Sequence, residues 1–237
     1  MIDINCDVGE GLNNEHLLMP LISSCNIACG GHAGSVEIID KVILLAIENK
    51  VKIGAHPSFP DRENFGRVVM DISDTALEQS LQEQLQLFKE RADLKNAEVH
   101  HVKPHGALYN LIAVNEEKAR VVVNAIQRVF EEIKMYVPYN SVIEKIAKEH
   151  GIEIVYEAFA DRNYNNDLTL VSRALPYAVI TDKEKVVNHV KRMAEESNVK
   201  TVQDYKKEIK AQTFCVHGDN KNAIEILHEL HQHLEIQ

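Results

Sequence analysis

Short apolar runs in this chain end in acids, histidines, asparagines or a lysine beside small residues. Six of them are DINCDVGEG from Asp3, NIACGGHAG from Asn26, IGAHPS from Ile53, HHVKPHGALYN from His100, YEAFADR from Tyr156 and FCVHGD from Phe214. Alternate residues of a strand point to opposite faces. In the first run Asp3, Asn5 and Asp7 therefore share one face, and Ile2, Ile4, Cys6 and Val8 the other. The last run repeats this, with Cys215, His217 and Asp219 opposite Phe214 and Val216. Strands with an apolar outer face and a polar inner one suit a parallel barrel wrapped by helices, whose strand ends converge on one mouth. Ionisable groups gathered in such an interior are costly unless paired or put to use, so the pattern reads as an enzyme.

Strands are predicted at 2–6, 25–29, 52–56, 99–103, 134–137, 152–158 and 213–217. Amphipathic segments fall between them. The clearest, Val36 to Asn49, has Ser35 as its N-cap and Ile39, Val42, Ile43 and Ala46 as its apolar stripe. Others cover about 73–94, 115–132, 139–149, 182–197 and 220–234, with Ser73, Asn115 and Asp182 as starts. This alternation predicts an α/β fold, a seven-stranded parallel β/α barrel formed by 1–237 as one domain. An open doubly wound sheet is the alternative. The longer connections 57–72 and 159–181 suit lids or substrate contacts at a barrel mouth.

A net charge of −10 argues against binding a nucleic-acid backbone. No stretch approaches the roughly 20 apolar residues that span a bilayer, and the start has neither a basic region nor a signal-length apolar run, so a cytoplasmic protein is expected. Cys6, Cys25, Cys29 and Cys215 show no paired C-x-x-C spacing and read as reduced, buried thiols. A nucleophile at Cys29, beside Gly30 and His32, is the minor option.

Among the polar residues, Asp7 lies nearest the predicted mouth and could act as a base or hold a cation. His32, His56, His105 and His217 share strand-end positions. Pro104 biases Lys103 toward extended geometry. A lysine drawn into the barrel pairs with an acid or has a lowered pKa, whereas the plainer alternative is a surface side chain. His101, deeper, reads as a neutral core histidine. Glu157 and Asp161 flank Phe159 ahead of Arg162; the set reads as an ion pair, or Arg162 and Arg173 clamp a carboxylate. His228, His231 and His233 lie opposite the apolar stripe of the last helix and read as solvated.

Taken in order, DINCDVGEG, NIACGGHAG, GAHPSFPD with FGR at Phe65 to Arg67, VKPHGALYN, EAFADR and CVHGD resemble the LamB/YcsF family. The resemblance runs from Asp3 to Asp219. It departs at Ser35 and Val68, where an acid and a basic residue are common, and at Asn163 to Asp167, which lacks a glycine before Leu168. It implies a seven-stranded β/α barrel similar to glycoside hydrolases and polysaccharide deacetylases. It further implies ATP-dependent opening of 5-oxo-L-proline to L-glutamate in a complex with 5-oxoprolinase subunits B and C. ATP use fits the chemistry, because a lactam is a poor electrophile, but nothing here resembles a P-loop or kinase nucleotide site.

On this reading Asp7, Lys103, His105 and Asp161 are the expected catalytic residues. Substrate contacts are expected from Asn5, Asn26, His32, His56, Tyr109 and Asn110, and from Glu157, Arg162, Arg173, His217 and Asp219. A divalent metal ion, if used, is expected on Asp7, His32 and His56. Two other readings stand beside it: a metal-dependent deacetylase or amidohydrolase acting alone, and a non-catalytic subunit that binds a small carboxylate and regulates its partners.

Overall fold

A computed structural model describes residues 1–237. The chain runs β1 (Asp3–Val8), a short α1 (Glu15–Leu18) continued by a 3-10 turn, β2 (Ser24–Ala28), α2 (Val36–Asn49), β3 (Lys52–His56), α3 (Asp74–Asp93) and β4 (Val99–Val102). It continues through α4 (Gly106–Ile112), α5 (Glu116–Val129), β5 (Lys134–Pro138), α6 (Val142–Glu149), β6 (Glu153–Phe159) and α7 (Lys183–Glu196). Last come β7 (Asn198–Lys200), β8 (Lys206–Glu208), β9 (Thr213–Cys215) and α8 (Ala223–His233).

Seven strands close a barrel in the order β1-β2-β3-β4-β5-β6-β9, every pairing parallel. Closure removes the unpaired edges that an open sheet would leave. The outward residues Ile4, Cys6, Val8, Ile27 and Val102 join the helix stripes, among them Ile39, Val42, Ile43 and Ala46 of α2, in one buried apolar core. The inward face is polar, as the alternation predicts: Asp3, Asn5 and Asp7 of β1 are all buried.

Each predicted cap is made. Ser35, Ser73, Asn115 and Asp182 accept from the backbone N–H groups of Ile38, Ala76, Lys118 and Lys185. Ser141 does the same for α6, accepting from Glu144. Such caps satisfy donors that the first helical turn leaves unpaired.

Four short elements lie outside the sequence expectations. α4 has seven residues, too few to display a helical period, and α1 has four. The antiparallel pair β7–β8 has three residues per strand and stands apart from the barrel. One glycine is set by the interior. Gly54 pairs with His101 across β3 and β4, and a Cβ on it would lie 2.2 Å from His101 Nε2. The missing side chain is what admits the imidazole.

Candidate active site

The barrel floor is closed by hydrogen bonds. Asp3 Oδ1 accepts from Ser24 Oγ at 2.8 Å and Thr213 Oγ1 at 2.6 Å, and Oδ2 pairs with Lys52 at 3.0 Å. Above it, Asn5 donates to Thr213 Oγ1 at 2.8 Å, and its Oδ1 accepts from Asn26 Nδ2 at 2.8 Å. Asn26 also donates to Asp7 Oδ1 at 2.8 Å and accepts from His101 Nε2 at 2.7 Å. His101 is fully buried, stacks on Tyr136 at 3.8 Å, and has its pKa driven well down by burial, as expected of a neutral core histidine. Asn5 and Asn26 were expected to touch substrate. They lie beneath the cavity, line none of it, and instead orient Asp7 and Lys103.

Lys103 follows β4 into this interior and is 2% exposed. Its ammonium lies 3.0 Å from Asp7 Oδ1, 2.8 Å from Glu157 Oε1 and 3.2 Å from Cys215 Sγ. Burial opposes its charge, but Asp7, Cys215 and Glu157 outweigh burial and hold its pKa well above the ordinary lysine value. Of the two expectations for a buried lysine, the acid pair is realised and the lowered pKa is not. Burial likewise opposes ionisation of Asp7, yet His56 and Lys103 keep its carboxyl well below the usual carboxylate range. Two acids thus share one ammonium.

Beside this trio sits a histidine cluster. His56 Nε2 lies 2.9 Å from His105 Nδ1, and Glu10 Oε1 lies 3.0 Å from His32 Nε2 and 3.3 Å from His105 Nδ1. The rings of His32 and His105 stack at 3.6 Å and are nearly parallel. Burial lowers the pKa of both. The connection at 57–72 pins them: the Phe65 ring packs edge-on against each, and its carbonyl faces His105 Nε2 at 3.0 Å. Glu10, His32, His56 and His105 thus gather their ring nitrogens and one carboxylate in a single group, while Asp7, expected to join His32 and His56 on a metal, stands 3.5 Å from His56 and pairs with Lys103 through Oδ1.

A cavity of about 600 Å³ opens over both groups, lined by Asp7, Glu10, His56, Lys103, His105 and Glu157 with loop residues 167–174 on its far wall. Tyr109 and Asn110, on α4, also line it. The Tyr109 hydroxyl and Glu157 Oε2 are buried without a hydrogen-bond partner in the protein. Asp161, expected to be catalytic, is fully buried and does not reach the cavity. It accepts from His217 Nδ1 at 2.7 Å and Asn220 Nδ2 at 2.9 Å, leaving His217 to face the cavity. Burial opposes the Asp161 charge, but these donors hold its pKa below the ordinary value.

At the rim, Asp219 binds Arg67 at 2.6 Å and Arg173 at 3.1 Å, two guanidinium groups on one acid. Arg162 pairs with neither Glu157 nor Asp161. Its guanidinium donates to the carbonyls of Val171 at 2.6 Å and Ala178 at 3.2 Å, fastening the 159–181 connection, while still lining the cavity. In that loop Leu168 itself takes a positive φ of 67°, beside the stretch where a glycine was expected. Cys29 is buried and does not line the cavity, and burial pushes its thiol pKa up to about 12. All four cysteines are free and buried, and His228, His231 and His233 are exposed.

Among the cavity residues that had not been expected there are two charged ones close to the site, Glu10 and Arg67. Glu10 follows the β1 strand through Gly9, where strand parity stops predicting direction, and Arg67 rides on the 57–72 connection. The acid after Asp-Val-Gly and the FGR triplet were the available signals.

The chain is 38% identical to the A-type subunit of 5-oxoprolinase from Haemophilus influenzae strain PittEE over 234 residues, covering 99% of this chain and 96% of the relative. Similarity to the protein of the same name in Histophilus somni is 41% over 223 residues, 94% of this chain and 90% of that one. The one in Pyrococcus abyssi is 39% identical over 241 residues, 99% of this chain and 94% of that one. Among solved structures, the lactam utilization protein of Thermus thermophilus superposes with a TM-score of 0.92 at 32% identity, covering 100% of this chain and 98% of that one. The LamB/YcsF family model matches residues 2–237, and the chain belongs to that family.

Proposed function

We propose that this protein is the barrel subunit of a 5-oxoprolinase and opens 5-oxo-L-proline to L-glutamate at the barrel mouth, in a reaction driven by ATP. One observation carries the reading: the buried ammonium of Lys103 lies beside the buried Glu157 carboxylate and Tyr109 hydroxyl, and all three face one cavity. A lactam is a cis amide that presents its N–H and C=O side by side. Glu157 accepts from the ring N–H, while Lys103 and Tyr109 donate to the carbonyl oxygen. Arg67 and Arg173 share the single carboxylate of Asp219, and the positive charge left over attracts the substrate carboxylate. The relatives' names and the family match support the same substrate class.

The chemistry follows from the weakness of the electrophile. ATP phosphorylates the lactam oxygen, giving ADP and an O-phosphorylated ring. Water then adds to the activated carbon. The C–N bond breaks as a proton passes to nitrogen, and a second water releases phosphate from the resulting acyl phosphate to leave glutamate. Lys103 stabilises charge on the oxygen and the phosphoryl group. His217 serves as general base through Nε2, because Nδ1 is held protonated against Asp161. Asp7, tied to Lys103 and Asn26, is a weak base and keeps the ammonium charged.

The test is reconstitution with the two partner subunits. Glutamate should appear from 5-oxoproline only when this chain, its partners and ATP are all present; turnover unaffected by leaving out this chain would overturn the reading. A second reading, stand-alone hydrolysis at the Glu10–histidine cluster, is favoured by that cluster and predicts glutamate from the chain alone without ATP.

A further inference from the structure

Hydrogen bonding fixes the tautomers of two histidines in the cluster. His56 Nδ1 faces the Lys103 carbonyl at 2.6 Å, and His105 Nε2 faces the Phe65 carbonyl at 3.0 Å. A carbonyl can only accept, so each of these nitrogens carries its ring's proton. The other nitrogens, His56 Nε2 and His105 Nδ1, are then bare lone pairs in the neutral rings. They confront each other at 2.9 Å. A third lone-pair donor, Glu10 Oε1, lies 3.3 Å from His105 Nδ1 and 3.9 Å from His56 Nε2. Three lone pairs this close together repel unless a cation, either a proton or a metal ion, lies among them.

We propose that Glu10, His56 and His105 bind one divalent transition-metal ion of the zinc class. A tetrahedral ion with bonds of about 2.0–2.1 Å separates its ligands by about 3.3 Å, and the donor spacings of 2.9, 3.3 and 3.9 Å bracket that value. The backbone carbonyls behind His56 and His105 are the outer partners that fix metal-ligating imidazoles. Every charge partner of Glu10 is a histidine, so no lysine or arginine neutralises it. The neighbouring group of Asp7, Cys215 and His217 differs, because Lys103 stands 3.0 Å from Asp7 and 3.2 Å from Cys215 and already fills the cation's place.

His32 has a different part. It donates to Glu10 from Nε2, does not line the cavity, and its Nδ1 has no partner, so it orients the carboxylate and leaves the ion to the other three. Glu10, His56 and His105 all line the cavity, which leaves the remaining coordination position facing substrate. An ion there supplies a Lewis acid for a carbonyl or phosphoryl oxygen.

The test uses the intact chain without substrate or partners, so it stands or falls apart from the lactam assignment. Metal-stripped protein is titrated with Zn²⁺ by calorimetry and with Co²⁺ by visible absorption, with circular dichroism verifying the fold of each variant. One ion per chain is expected. Outer-sphere changes alone weaken metal sites about 10–100-fold, so His32→Gln should fall in that window. His56→Gln, His105→Gln and Glu10→Gln should weaken binding further, and Asp7→Asn should retain the ion. If a glutamine variant fails to fold, Glu10→Asp, which keeps the charge and retracts the oxygen, should still alter the Co²⁺ spectrum. Absence of stoichiometric binding, or equal affinity across the folded variants, would overturn the proposal. So would imidazole ¹⁵N spectra in which His56 and His105 share a proton that excess Zn²⁺ does not displace.

Discussion

Lys103 concentrates the physics of the site in one side chain. Removing one partner from a buried charge network costs about 3–5 kcal/mol, because it strands the opposite charge. Lys103→Met should therefore lower Tm clearly at neutral pH, with Asp7 and Glu157 left unpaired. Acid should relieve the defect. Asp7 has its folded pKa depressed, so the stability it contributes is present above the ordinary carboxylate range and is lost as pH falls through its folded value. The gap in Tm between wild type and Lys103→Met should shrink as pH drops into that range; a constant gap would contradict the pairing. Asp161→Asn tests a positioning role. It should lower kcat by about 10²–10⁴-fold with KM little changed, since Asp161 touches His217 and not the cavity. A rise in KM alone would place it in substrate binding instead. Residue identities of this kind were legible wherever strand parity held: Asp7, Lys103 and His217 were assigned to one interior from spacing alone. Glu10 was not, because it follows a turn with no fixed period, and spacing does not show that Asp161, expected to be catalytic, lies behind His217 and off the cavity.

At the scale of elements, helices and strands were legible through period and cap. Ser73 begins α3 and accepts from Ala76 at 3.3 Å, and Ser73→Ala should cost about 1 kcal/mol in urea unfolding with unchanged m-value. Interior packing was not legible, since a strand glycine gives no hint of what fills its space. Gly54→Ala places a methyl 2.2 Å from His101 Nε2, and overpacking of this kind costs about 1–3 kcal/mol. Gly54→Ala/His101→Ala should recover part of that loss; additive losses would mean that the two positions do not compete. The short α4 and the β7–β8 pair escaped detection because three to seven residues cannot establish a period.

For the whole molecule, closure of the barrel brings Asp7 and His217, 210 residues apart, within reach of one cavity. Stability should report this buried polarity through pH. His101 and His189 are held below the ordinary histidine pKa by burial, His189 at about 4. Unfolding frees both to bind protons near pH 6.5, so the stability they contribute is complete above that pH and declines as pH falls toward their folded values. Tm should fall from pH 7 to pH 5, and a flat profile would contradict neutral burial. No helix is long and apolar enough to cross a membrane. The barrel was legible because seven apolar runs alternate with amphipathic ones, whereas the rim pairing of Arg67 and Arg173 on Asp219 joins loops whose course sequence spacing does not set. The most direct measurement is glutamate release from 5-oxoproline and ATP by the assembled complex carrying Lys103→Met, compared with wild type under conditions where circular dichroism shows both folded. The expected result is loss of at least about 10³-fold in kcat; turnover within a few-fold of wild type would remove Lys103, and with it the barrel interior, from the reaction.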